Sequence, residues 1–186
     1  MREKVPIRQY RIDRLYLKDP NHKIEFSHMN MPAQSMDDPL LQWVTFRLEG
    51  ETYGVNVLQV QEVLRYTEIS PVPGAQDYVL GIINLRGNVV TVIDTRKRFG
   101  LCEGETTDAT RIVIVETELH VVGMLVDRVS EVVYLRQSEV EKPPNVGRDD
   151  SSHFILGVCH RNDELLILIE LEKMLANQGW NESETF

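Results

Sequence analysis

Long apolar runs are missing from this chain. The longest, such as Leu165–Ile169 ahead of Glu170, have the length of a strand and stop at a charge, so none suits a membrane span. The N-terminus carries no apolar core of the kind a secretory leader needs. Cysteine is scarce. Cys102 and Cys159 stand 57 positions apart and read as two unpaired thiols of a reducing cytoplasm, not as a disulfide framework. The five histidines (His22, His28, His120, His153, His160) never fall at ligand spacing from one another or from cysteine, except in the adjacent Cys159-His160. Neighbours in a strand point to opposite faces, so that pair is not expected to hold a metal. Cations are outnumbered, 20 Lys and Arg against 29 Asp and Glu, for a formal net charge of −9, which argues against binding a phosphate backbone. Catalytic constellations are missing too. There is no Ser-His-Asp or Cys-His arrangement, and the Gly81 to Gly87 spacing lacks the Lys-Ser/Thr of a phosphate cradle. The expectation is a protein that is not an enzyme and uses no cofactor and no metal.

What is there is strand after strand. At 186 residues and 42% hydrophobic, the chain has material for one substantial core or two small ones. Gln42–Leu48 alternates sides, Glu49-Gly50 turns it, and Thr52–Val57 returns as a hairpin. Val57–Arg65 reads as a turn leading into a strand, and Ser70–Ala75 breaks the chain with two prolines. A second hairpin follows: Val79–Leu85, a tight turn at Arg86-Gly87-Asn88, then Val89–Ile93 and a basic helical tail, Thr95–Phe99. After a polar loop come strands at Arg111–Glu116, Leu119–Asp127, Glu131–Arg136, Phe154–His160 and Glu164–Leu171, with a breaker-rich loop from Pro143 to Ser152. Leu171–Trp180 predicts a short helix packing Leu171, Met174 and Leu175. Many short strands at even spacing predict an all-β fold of small barrels or a sandwich.

Residues 1–40 differ in kind. Up to Met36 there are seven Lys/Arg against four Asp/Glu, a net of +3, which leaves −12 for the remainder. Pro6, Pro20 and Pro32 interrupt a stretch without apolar periodicity. It reads as a flexible N-terminal extension, or as upstream sequence absent from a protein that begins at Met29, Met31 or Met36. Residues 176–186 read as a C-terminal tail.

The chain repeats itself. Gly81 precedes Asp94 by the same 13 residues that separate Gly157 from Glu170, and each carboxylate is followed by a cation. Val57, Val60, Glu62 and Val63 recur as Val126, Val129, Glu131 and Val132. The two offsets, 76 and 69, differ by a seven-residue insertion. Two copies of a barrel of about 70 residues, each too small to be comfortable alone, are expected to pack together. The boundaries expected are 41–105 for the first and 106–170 for the second.

One residue stands out of that repeat. Arg86 puts a long cation at the tip of an otherwise hydrophobic hairpin. Glu62 is matched by Glu131 in the second copy, but Arg86 is matched by Asn162. A residue needed only for barrel stability should recur; one needed for an asymmetric partner need not. Gly81 reads as a site of close backbone approach, with Gly157 as its structural counterpart.

Tyr53-Gly54-Val55, Val60-Gln61-Glu62-Val63, Pro71-Val72-Pro73, Gly81–Gly87, Val92-Ile93-Asp94 and Leu125-Val126-Asp127 together resemble the CheW family of chemotaxis coupling proteins. The resemblance runs from about Leu41 to Leu175. It implies two SH3-like five-stranded β-barrel subdomains on a shared core, with short helices. It implies no catalysis, and a cytoplasmic place at membrane-associated chemoreceptor arrays. The partners implied are the cytoplasmic tip of methyl-accepting chemoreceptors and the regulatory domain of the histidine kinase CheA, with self-assembly into rings through both ends. Val60, Glu62, Gly81 and Arg86 are then the receptor-binding candidates, Val60 because its position lines the receptor groove. Val57 and Tyr66 are the kinase-binding candidates, on an exposed apolar edge. The alternative is an oligonucleotide-binding small β-barrel, which would need aromatics interleaved with cations; aromatics are only 7% here.

Overall fold

Alternating side chains along the central strands feed two different cores, and that sets the architecture. The computed structural model describes residues 38–143, 153–161 and 163–176; the N-terminal extension, most of the Pro143–Ser152 loop, Asn162 and the C-terminal tail lie outside them. The strands are β1 (Leu40–Leu48), β2 (Glu51–Asn56), β3 (Val60–Arg65), β4 (Val79–Leu85), β5 (Asn88–Asp94), β6 (Arg111–Glu116), β7 (Val121–Val126), β8 (Arg128–Arg136), β9 (Ile155–Arg161) and β10 (Glu164–Ile169). Two short helices, α1 (Thr95–Arg98) and α2 (Leu171–Ala176), follow β5 and β10. A 3₁₀ turn at Val57–Gln59 leads into β3, as the sequence predicts.

On β6, Ile112 and Ile114 enter a core private to their own sheet, while Val113 and Val115 enter a core shared by both sheets. β1 does the same with Trp43 on one side and Val44 and Phe46 on the other. A strand covered on both faces shows no polar alternation, which is why Arg111–Glu116 reads as a continuous apolar run. Aromatic rings thread the shared core: Phe46, Tyr53, Phe99 and Phe154 stack or tilt in sequence at centroid distances of 6.0, 5.2 and 4.6 Å.

The strands form two five-stranded sheets, ordered β8-β1-β2-β10-β9 and β3-β6-β7-β5-β4. The fold is therefore all-β with two SH3-like halves on a shared core. Two expectations need correction. First, neither sheet closes through a continuous ladder. The edges approach through one isolated bridge each, Ser70 with Ile82 and Glu141 with Val158. Second, the division at residue 105 does not describe the sheets. The repeat itself is present: β4-β5-α1 and β9-β10-α2 superpose in register at an offset of 76, and β3 and β8 carry matching bulges, between Val60 and Glu62 and opposite Val44 and Phe46. But each sheet takes its first two strands from one copy and its last three from the other. The exchange happens at two corners, the Val57–Gln59 turn and the Val126-Asp127-Arg128 junction, where the chain leaves one sheet and enters the next. Val57 at 3% and Val60 at 7% exposure pin the first corner into the shared core.

The helices meet between the sheets. Asp94 caps α1 by accepting from the Lys97 amide, and α2 buries Leu171, Met174 and Leu175, as its spacing predicts. Arg98 donates through Nε and Nη2 to the Met174 carbonyl (3.1 and 2.7 Å), satisfying an end of α2, and lies near the rings of Tyr78 and Phe154.

Candidate functional site

The β4–β5 hairpin turns on two residues, Arg86 and Gly87, both with positive φ (54° and 90°), the backbone twist that suits a two-residue hairpin. Asn84 braces the turn by accepting the Gly87 amide through Oδ1 at 2.8 Å. Gly, Asn or Asp is the usual occupant of such a left-handed position; an arginine there holds a conformation that costs about 1 kcal/mol. That cost points to a use for the side chain. Arg86 folds back across the sheet edge and grips Glu62 on β3 with both arms: Nη1 to Oε1 at 3.1 Å and Nη2 to Oε2 at 2.8 Å. Glu62 is 14% exposed at the side chain and Arg86 63%, so the carboxylate is sheltered while the guanidinium faces outward. An outward planar fork, fixed by a bidentate partner, still has donors for a second acceptor.

The remaining candidates part company. Gly81 is buried, with φ +145°; a Cβ there would come within 2.1 Å of the Ser70 carbonyl oxygen. Its place is the seam that joins β4 to the segment after β3, and Gly157 fills the matching seam, where a Cβ would meet Val140 Cγ1 at 2.5 Å and the Glu141 carbonyl at 2.8 Å. Val60 and Val57 are core residues. Val57 is thus a correction: the exposed apolar edge expected there is supplied by its neighbour Leu58, at 67% exposure, because the 3₁₀ turn sends Val57 inward and Leu58 outward. Tyr66, just beyond β3, is exposed as expected.

Other features escaped the sequence reading. Arg96 on α1 binds Asp127 with Nε and Nη2 at 2.7 and 2.6 Å, and the same carboxylate accepts the Glu49 amide at 2.9 Å. The Asp127 carboxylate holds the Arg96 guanidinium above its usual basicity. This pair ties α1, the β1–β2 turn and the β7–β8 corner, and a distance of 31 residues left no local signal. Val89, Leu119 and Val121 are exposed apolar residues. Val89 was findable, because β5 alternates and Val90 faces inward. Burial pushes the Cys159 thiol up, and His160 beside it is exposed, the opposed orientation that strand geometry predicts. Among the described residues no group of three or more His, Cys, Asp or Glu is placed to hold a metal, and no helix is long and apolar enough to cross a membrane.

The family model for the CheW-like domain matches residues 42–179. The chain belongs to the CheW-like family. Among CheW relatives, the chemotaxis protein CheW of Treponema pallidum is 30% identical over 161 residues, covering 84% of this chain and 94% of that protein. The chemotaxis protein CheW of Bacillus subtilis is 36% identical over 136 residues, 73% of this chain and 87% of its own. The crystal structure of the scaffolding protein TtCheW from Thermoanaerobacter tengcongensis aligns with a TM-score of 0.67 at 34% identity, covering 72% of this chain and 91% of that one. The CheW-like segment begins within β1 and runs past α2, so both sheets and the Glu62–Arg86 pair fall inside it.

Proposed function

We propose that the protein is a non-catalytic chemotaxis coupling protein that joins the cytoplasmic tip of chemoreceptors to the regulatory domain of the kinase CheA within membrane-associated arrays. Membership of the CheW-like family supports the class of function. The observation that carries the receptor contact is the Glu62–Arg86 clamp: a guanidinium held in an unfavourable turn conformation and aimed outward over the edge between β3 and β4. A receptor helix laid along that edge would meet a fixed cation able to take a carboxylate or a backbone carbonyl. Val60 and Gly81 support the edge from beneath. The kinase contact falls to the exposed apolar residues flanking β3, Leu58 and Tyr66.

The test is co-sedimentation with a receptor cytoplasmic fragment and the kinase. Arg86→Ala is expected to weaken receptor capture while the thermal transition survives. Loss of both together makes Arg86 a structural residue and removes the reading.

A further inference from the structure

The repeat supplies an internal control for every surface position, and one face fails it. On the first sheet a cleft of about 320 Å³ is lined by three arginines, one from each of β1, β8 and β9: Arg47, Arg128 and Arg161. Their counterparts at offsets 69 and 76, on the second sheet or in the turn leading into it, are Glu116, Gln59 and Leu85, so no cation recurs. In a chain of net charge −9, three guanidinia converge where the twin has none.

Stability does not account for them. Arg47 and Arg128 are directly opposite on adjacent antiparallel strands, a like-charge pairing that disfavours the sheet. In the twin sheet the corresponding region holds a favourable contact, Gln61 Nε2 donating to Glu116 at 2.8 Å. Arg47 is neutralised by Glu164, whose two oxygens accept its Nη2 at 2.7 and 2.8 Å. The side chains of Arg128 and Arg161 make no ion pair or hydrogen bond among the described residues, and both residues are exposed. Glu131 also lines the cleft, so the free charge there is two cations against one carboxylate.

We propose that this cleft receives carboxylate side chains from an acidic segment of a protein partner, gripped by Arg128 and Arg161, with the Ser130 hydroxyl as an added donor. The interleaved Glu131 and Glu164 favour single-charged carboxylates spaced along a chain over a compact multiply charged anion, which would sit against both acids. The site is separate from the Glu62–Arg86 clamp, which lies on the other sheet, and it stands or falls without the receptor reading.

The experiment is a titration of the full ¹⁵N-labelled chain with octaglutamate at low ionic strength, followed through backbone amides and arginine Nε–H signals. Shifts are expected at Arg128, Arg161 and the adjoining ends of β8 and β9. The Arg128→Gln/Arg161→Gln variant is expected to weaken binding at least about tenfold, the Arg65→Gln variant, at an exposed cation on the other sheet, to leave it unchanged, and Arg128→Lys/Arg161→Lys to recover part of it. The proposal is overturned by no shifts in the wild type, or by equal loss in Arg65→Gln, which would mean diffuse attraction to any cation. Tighter binding of inorganic pyrophosphate than of octaglutamate at the same residues would assign the cleft to a small oxyanion and likewise overturn it.

Discussion

Removing Arg86 should separate recognition from stability, because the structure makes its contribution to folding small. The guanidinium is 63% exposed and its two bonds to Glu62, at 3.1 and 2.8 Å, are screened by solvent on one side. Exposed ion pairs of good geometry contribute about 0.5–1 kcal/mol. Against that stands the backbone cost of a non-glycine residue at φ 54°, about 1 kcal/mol, which glycine would not incur. Arg86→Ala should therefore lower the melting temperature by only about 2–4 °C in a domain of this size. Arg86→Gly should be at least as stable as Arg86→Ala. A double-mutant cycle with Glu62→Ala should return a coupling no larger than about 1 kcal/mol. Receptor binding should respond on another scale, since a buried arginine anchor commonly contributes 2 kcal/mol or more, about 30-fold in Kd. Calorimetry on the four proteins of the cycle and a binding isotherm with a receptor fragment make the comparison. A fall of more than about 10 °C in Arg86→Ala, or unchanged receptor affinity with full stability, would refute the reasoning.

The seam glycines should rank by what their missing Cβ would strike. Gly81→Ala meets a backbone oxygen at 2.1 Å with φ +145° and should cost more than about 3 kcal/mol in urea unfolding, whereas Gly157→Ala, partly facing the movable Val140 side chain, should cost less; the reverse order would contradict the seam. Asp127→Ala strands the Arg96 guanidinium and the Glu49 amide at once and should destabilise by about 2 kcal/mol, with a value near zero showing that the latch is solvated. Under a thiol reagent at neutral pH, exposed Cys102 should react rapidly and Cys159 slowly, because Cys159 is 4% exposed and its raised thiol pKa leaves little thiolate below it; equal rates would contradict its burial.

Element type was legible wherever one period ruled a segment. The β1–β2 hairpin, the turn into β3, the β4–β5 hairpin and the α2 stripe of Leu171, Met174 and Leu175 all follow from spacing and turn residues. So did the seam: Gly81 and Gly157 were readable as a pair because they recur at one offset. Which strands share a sheet was not legible. Val57 and Val126 look alike in both copies whether the chain stays in its sheet or crosses over, and only the corner geometry decides. Val57 was misplaced against its own alternation: Tyr53, Val55 and Val57 all enter the shared core, and the exposed position falls to Leu58. Arg96–Asp127 failed for a different reason: its partners meet because β5 and β7 pair in parallel, with Asp94 opposite Leu125, and no local pattern announces that long-range pairing.

That crossover bears on how rigidly the two sheets are joined. Had each copy of the repeat kept its own five strands, the two halves would touch only through side chains, and relative motion would be the default. Here β1 and β2 hydrogen-bond to β8 and β10, and β6 and β7 to β3 and β5, so each sheet is half built from the other copy. Among the described residues no strand pairs across the two sheets, so what resists their sliding is the shared core and the two corners that Val57, Val60 and Val126 bury in it. The Glu62–Arg86 clamp on one sheet and the arginine cleft on the other are thus fixed at opposite sheets of one stiff body. A stiff connector holds its contacts in constant relative orientation, and that is the property the proposed coupling role needs.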